Sequence, residues 1–159
     1  DRGTDSPVLW DHKAFLFDKS KNLLVVPVLE AKIDESAYLG EVPPNAYGRP
    51  VWQGAYVFDI SLDAGLQLKG RITHIENLGD IEKDYYYFYS SFSVERSLYI
   101  DDVLYTISDA KIMMNNLGNL AYINEVELPH STWIPYDYYP DEQPRPVEPS
   151  AGAESGGER

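Results

Sequence analysis

Cysteine is absent from this chain, which excludes a disulfide framework, a thiolate zinc site and a nucleophilic thiol together. Basic residues are scarce: 13 Lys and Arg stand against 26 Asp and Glu, for a formal net charge of -13. Nucleic-acid recognition depends on a Lys/Arg patch that displaces counterions from phosphates, so no nucleic-acid partner is expected. An acidic surface suits solubility, cations or basic partners. No apolar run approaches the roughly 20 residues of a helical bilayer span, and no charged-then-apolar leader opens the chain. The first residue is Asp1, not Met, which leads to the expectation that an N-terminal segment has been removed. Missing too are the His-Glu-x-x-His zinc motif, the EF-hand loop and the Gly-x-Ser-x-Gly nucleophile elbow.

What the chain has is apolar and aromatic bulk. Its hydrophobic content of 43%, with thirteen tyrosines and three tryptophans, is enough for a folded core. β-Branched and aromatic side chains fit a pleated, half-buried surface and point to strands. The expected strands fall into two copies of one pattern. The first copy runs His12 to Asp18, Asn22 to Val28, Gly54 to Ser61 and Gly65 to His74; the second runs Arg96 to Ile100, Val103 to Ser108, Lys111 to Asn115 and Leu120 to Leu128. Asp18-Lys19-Ser20-Lys21-Asn22, Asp63-Ala64-Gly65 and Asp101-Asp102 supply hairpin turns. Leu23-Leu24-Val25-Val26 carries no polar alternation, so this strand is expected to be covered on both faces.

Two hairpins in about 40 residues are the pattern of one propeller blade, and a closed ring needs about four blades or more. The expected fold is therefore all-β: two consecutive four-stranded antiparallel blade-like sheets, a partial β-propeller over residues 1–129, with blade one at 8–76 and blade two at 90–128. Val8-Leu9-Trp10 reads as an anchor leading into the first strand. Residues 130–159, with Pro135, Pro140, Pro144, Pro146 and Pro149 and a Ser/Gly-rich end, read as an extended acidic tail or linker.

Two insertions interrupt the strand pattern and hold the candidate binding residues. The Pro/Gly/Asn-rich stretch 33–50 is a long loop of the kind that is often functional; it offers Tyr47 and Arg49, with Trp52 just beyond. The segment 77–89 links the two copies and contains Tyr85, Tyr86 and Tyr87. Two readings of that cluster stand: rings covering the junction between sheets, or an exposed platform for carbohydrate, peptide or protein.

Trp10-Asp11-His12-Lys13-Ala14-Phe15-Leu16-Phe17-Asp18, Leu23-Leu24-Val25-Val26-Pro27-Val28, Gly54-Ala55-Tyr56-Val57-Phe58-Asp59, Arg96-Ser97-Leu98-Tyr99-Ile100 and Leu104-Tyr105-Thr106-Ile107-Ser108 together resemble, over roughly residues 6–129, the final part of secreted prokaryotic proteins with a C-terminal β-propeller domain, distantly related to WD40 repeats. The resemblance implies a propeller fold and an extracellular or cell-surface setting. It brings no catalytic residue with it.

Catalysis finds little footing. Asp11-His12 is the only adjacent acid-base pair, and His12 and His74 read as structural. Glycosidase chemistry needs two carboxylates across a cleft, and nothing in the sequence picks out a pair. No cofactor is expected, calcium being the alternative if turn carboxylates such as Asp18, Asp63, Asp80, Asp101 and Asp102 gathered around an ion. The function expected from the sequence is a non-enzymatic interaction or scaffold module that binds through its loops. Its partners would be the remaining blades or a second copy of the chain, with a protein or carbohydrate ligand. The alternatives are part of a hydrolase-type propeller enzyme completed by other blades or domains, and a calcium-stabilised adhesion module.

Overall fold

The computed structural model describes residues 1–77, 81 and 90–130. Their strands are β1 (Leu16–Asp18), β2 (Leu23–Lys32), β3 (Arg49–Ser61), β4 (Gly65–Ile72), β5 (Arg96–Ile100), β6 (Val103–Ile107), β7 (Lys111–Asn116) and β8 (Tyr122–Glu127). Each set of four forms one antiparallel sheet with its strands in chain order, so every neighbouring pair within a sheet is a hairpin. Turn chemistry explains the tight ones. The Asp18 carboxylate accepts from the backbone N–H of Ser20 and Lys21, an Asx-type turn, while Asn22 and Asp101 take positive φ values of 51°, a conformation these short polar residues tolerate well.

Several elements differ from the sequence expectation. Residues His12–Ala14 form a 3-10 turn capped by Asp11, and strand pairing starts only at Leu16. Conversely, β2 continues past Val28 to Lys32, and β3 starts as early as Arg49. Pro27 is tolerated because β1 pairs only as far as Val25. The side of Pro27 that lacks an N–H therefore faces no β1 partner, and its carbonyl accepts from the Ser6 hydroxyl. The N-terminal residues extend that edge. Asp5 and Leu29 exchange two backbone hydrogen bonds of 2.9 Å, and the Thr4 hydroxyl bonds both the N–H and the carbonyl of Ala31.

Along β2, Leu23, Val25, Pro27, Leu29 and Ala31 are buried, whereas Leu24, Val26, Val28 and Glu30 are half-buried. The expectation of cover on both faces is met fully on one face and partly on the other. The buried face packs on the second sheet, and the shared core joins Leu23, Val25, Ala55, Val57 and Ile72 to Val94, Leu104 and Leu117. Each such side chain contributes about 1.5–3 kcal/mol on burial.

Polar contacts fix how the two sheets sit together. Gln53, 4% exposed, spends both ends of its amide on one residue: Nε2 donates to the Val94 carbonyl and Oε1 accepts from the Val94 N–H, each at 2.9 Å. Tyr99 donates its hydroxyl to the Asp18 carboxylate, and Arg96 pairs with Asp11 at 3.0 Å. His74, 1% exposed, lies after β4 with Nδ1 2.9 Å from Ser108 Oγ and Nε2 2.8 Å from Thr106 Oγ1. Substituting Gln53→Leu keeps the bulk but strands a buried N–H and a buried carbonyl on Val94. The expected loss is about 2 kcal/mol or more, seen as a lower urea midpoint with an unchanged slope; an unchanged midpoint would show that the amide does not join the sheets.

The opposite faces of both sheets are apolar and lack a second layer among the described residues. On the first sheet the register aligns Phe17, Leu24, Phe58 and Leu68 in one row across all four strands, with Phe17 and Leu68 exposed. On the second, Leu98, Tyr105 and Met114 form one row and Ile107, Ile112 and Val126 another, with Leu98, Ile100 and Val126 exposed.

Candidate binding site

Antiparallel pairing brings three connections to one end of the molecule: the segment before β1, the β2–β3 loop and the β4–β5 connection. At this end, at the seam of the two sheets, lies a cavity of about 650 Å³ lined by the segment before β1 (Asp5, Trp10, Asp11), by Leu29 of β2 and Gln53 of β3, and by Val94 and Glu95 ahead of β5. This volume is within the range of small-ligand sites.

Each wall residue is placed by a local cause. Ser6 caps a 3-10 turn over Pro7–Leu9, and that turn presents Trp10 at the rim, 60% exposed. The expected anchoring of Val8-Leu9-Trp10 into a strand is thus replaced by a turn whose large side chains face outward. Asp11 caps the next turn, accepting from the Lys13 N–H at 2.9 Å while it holds Arg96. The Lys13 N–H, and then the Arg96 charge, hold the Asp11 carboxyl below the ordinary carboxylate range. Glu95 is shifted the other way. Burial, then the charge of Asp109, raises its pKa. Its neighbour Val94 is clamped by Gln53, which fixes the wall from which Glu95 projects.

Of the binding candidates named from the sequence, the three that are described, Tyr47, Arg49 and Trp52, are not among the residues that line this cavity. Tyr47 is exposed in the β2–β3 loop, with the Arg2 guanidinium 5.4 Å from its ring centre. Arg49 opens β3, exposed and across from Lys32. Trp52 is only 6% exposed; its ring meets Tyr56 edge-on at 5.1 Å and carries the Arg71 guanidinium at 4.9 Å. That ring is therefore engaged in packing. Tyr85, Tyr86 and Tyr87, like the tail from residue 131, lie outside the described residues. Tyr47 and Arg49 share the connection end with the cavity, whereas Trp52 belongs to the packed outer side of β3. His12 is exposed, and the bond from this turn to the second sheet is made by its neighbour Asp11, which accepts from Arg96. In the sequence Trp10 reads as a strand anchor and nothing singles out Glu95, because only the fold brings the two to one cavity.

A family model described as "Beta propeller domain" matches residues 1–120. The chain belongs to the beta propeller domain family. No curated protein and no solved structure matched it. The two sheets are accordingly two propeller blades, and the bare apolar rows are flanks on which other blades or domains of a ring would pack. The cavity lies between the two blades of this propeller.

Two of the turn carboxylates, Asp18 and Asp102, already have partners. Asp18 caps its turn and accepts from Tyr99, and Asp102 pairs with Lys21 at 3.7 Å. Among the described residues, no three His, Asp or Glu side chains are grouped to hold a metal ion, and no helix is long and apolar enough to cross a membrane.

Proposed function

We propose that this chain is a non-enzymatic interaction and scaffold module of a secreted or cell-surface propeller protein, and that it binds its ligand at the connection end of the blades. The observation that carries the reading is the seam cavity. Its wall brings the carboxylates of Asp5, Asp11 and Glu95 around a space whose frame the Gln53–Val94 clamp holds in place. Family membership supports the scaffold half, since a propeller works by presenting loops on a closed ring. Bare apolar flanks imply company, whether the remaining blades or a second copy. Size-exclusion chromatography with light scattering tests this. The isolated chain is expected to show a mass above 18.1 kDa at micromolar concentration, and a stable monomer there overturns the reading of the flanks.

No cofactor is part of this proposal. Because Asp18 and Asp102 already have protein partners, a chelator is expected to leave the melting temperature unchanged. A clear drop on chelation would instead support the calcium-stabilised adhesion module.

A further inference from the structure

We propose that a second copy of this chain docks on it head-to-tail, the bare flank of its first sheet seated on the bare flank of the other copy's second sheet, and that the stack closes into a ring. The inference rests on the reading of the chain as a scaffold module whose flanks need company, and it commits to the company and its order.

The seam inside the chain is the template. The pairs that close the first hairpin of each sheet, Asp18–Leu23 and Ile100–Val103, mark equivalent positions. The strand registers carry that equivalence across both sheets, and the β-bulge between Val57 and Phe58 then falls where the second sheet has its bulge between Met114 and Asn115. Nothing in the choice of hairpin pairs forces that agreement. The first sheet meets the second with Leu23, Val25, Ala55, Val57 and Ile72. Their equivalents in the second sheet are Val103, Tyr105, Ile112, Met114 and Val126, apolar or aromatic throughout, and all on the flank without cover among the described residues. The second sheet in turn meets the first with Tyr99, Leu104 and Met113, whose equivalents Phe17, Leu24 and Tyr56 stand on the bare flank of the first sheet. Each bare flank thus repeats the face that the other sheet already grips across the seam.

One position shows the fit most plainly. Where the seam has a polar pair, Tyr99 on Asp18, the equivalent flank residues are Phe17 and Ile100, 51% and 57% exposed. Both members of the pair have become apolar together, so a contact between Ile100 of one copy and Phe17 of the next buries no unanswered carboxylate or hydroxyl. Because the two flanks differ and complement each other, the contact is heterologous, the kind that generates a ring when its rotation closes. Propeller rings hold about four to eight blades, so about two to four of these two-blade chains complete one.

The test weighs the whole chain by size-exclusion chromatography with light scattering, in enough salt to screen the repulsion between copies that each carry a net charge of -13. A single species of about two to four copies is expected. Two variants then spoil one flank each with charges that docking would desolvate: Phe17→Lys with Leu68→Lys on the first sheet, and Ile100→Lys with Val126→Lys on the second. These four side chains are at least half exposed, so far-UV circular dichroism should stay unchanged; if a double variant does unfold, Phe17→Lys or Ile100→Lys alone takes its place. Each variant by itself is expected to run as an 18.1 kDa monomer. Mixed, the two should form a complex of one chain of each and nothing larger, because a single pair of intact, complementary flanks remains. A monomeric parent, open-ended growth, a variant that assembles like the parent, or a mixture that stays monomeric would each overturn the inference. Its failure is separable from that of the scaffold reading. A parent that assembles while the mixture does not sinks only the head-to-tail order, whereas a monomeric parent sinks the account of the flanks as well and leaves them to another occupant, such as residues 131–159.

Discussion

Taking the chain from pH 7 to pH 4 is expected to remove about 3 kcal/mol of stability through His74 alone. Burial, then the nearby Lys111 charge, lowers its pKa from 6.5 to about 4. The hydrogen bonds assign a protonation state consistent with this. One neutral tautomer satisfies all these bonds at once: with Ser108 donating to the Lys111 carbonyl, His74 Nδ1–H donates to Ser108 Oγ and Nε2 accepts from the Thr106 hydroxyl. A second ring proton on Nε2 would face that hydroxyl and displace its hydrogen. Since the folded pKa is depressed, the unfolded chain binds the proton more readily. The contribution is therefore complete above about pH 6.5 and is lost as the pH falls toward 4. Glu95, whose folded pKa is raised, works in the opposite sense, while Asp11, Asp18 and Asp34 have lowered pKa values and lose their contributions at lower pH still. Urea denaturation between pH 4 and 7 should thus show a steep slope in the parent that is largely missing from His74→Gln, which keeps an amide in the site but cannot titrate. Identical slopes in the two proteins would refute the assignment.

The same histidine shows where sequence and structure part. His74 reads as structural from its place at a strand end, yet its partners Thr106 and Ser108 belong to the other blade, and no local pattern links them. The hairpins are legible because their causes are local: alternating apolar residues, and Asp, Asn or Gly where the backbone must turn. Strand ends are harder to read. The second strand reads as ending at Val28 and runs on to Lys32, with Pro27 inside it because the β1 ladder ends before reaching that residue. The N-terminal strap escaped notice for a related reason, as it holds on through backbone groups and the Ser6 and Thr4 hydroxyls, which leave no hydrophobic periodicity. The cavity was the least legible feature. Its walls come from the segment before β1, from Leu29 of β2 and Gln53 of β3, and from Ser93, Val94 and Glu95 ahead of β5, and of the described aromatic candidates Trp52 is packed and Tyr47 lies elsewhere.

Gly54→Ala is expected to be the most disruptive single-methyl change in the first blade. Gly54 sits in the middle of β3, opposite Val28 of β2. A β-carbon there would lie 2.2 Å from the Ile72 carbonyl oxygen and 2.8 Å from the Trp52 ring, far inside the 3.5–4.0 Å at which non-bonded carbons attract. Neither neighbour can yield cheaply. The Ile72 carbonyl is backbone at the end of β4, with its own side chain in the core shared by both blades, and Trp52 is wedged between Tyr56 and Arg71. Relief must come from moving the end of β4, which also displaces His74 two residues later from Thr106 and Ser108. The expected cost is about 3 kcal/mol, a large share of the roughly 5–15 kcal/mol that holds a domain of this size. Gly65→Asn provides the contrast: the turn there has open space around the added atoms and a φ of 68° that asparagine accepts, so its urea midpoint should stay close to the parent's. Because the displaced segment carries His74, the pKa of that histidine, followed by NMR, should rise from about 4 toward its ordinary value in any Gly54→Ala protein that still folds. A Gly54→Ala variant with the parent's midpoint and an unmoved His74 titration would show that β4 is not pinned where the blade-to-blade contacts require it.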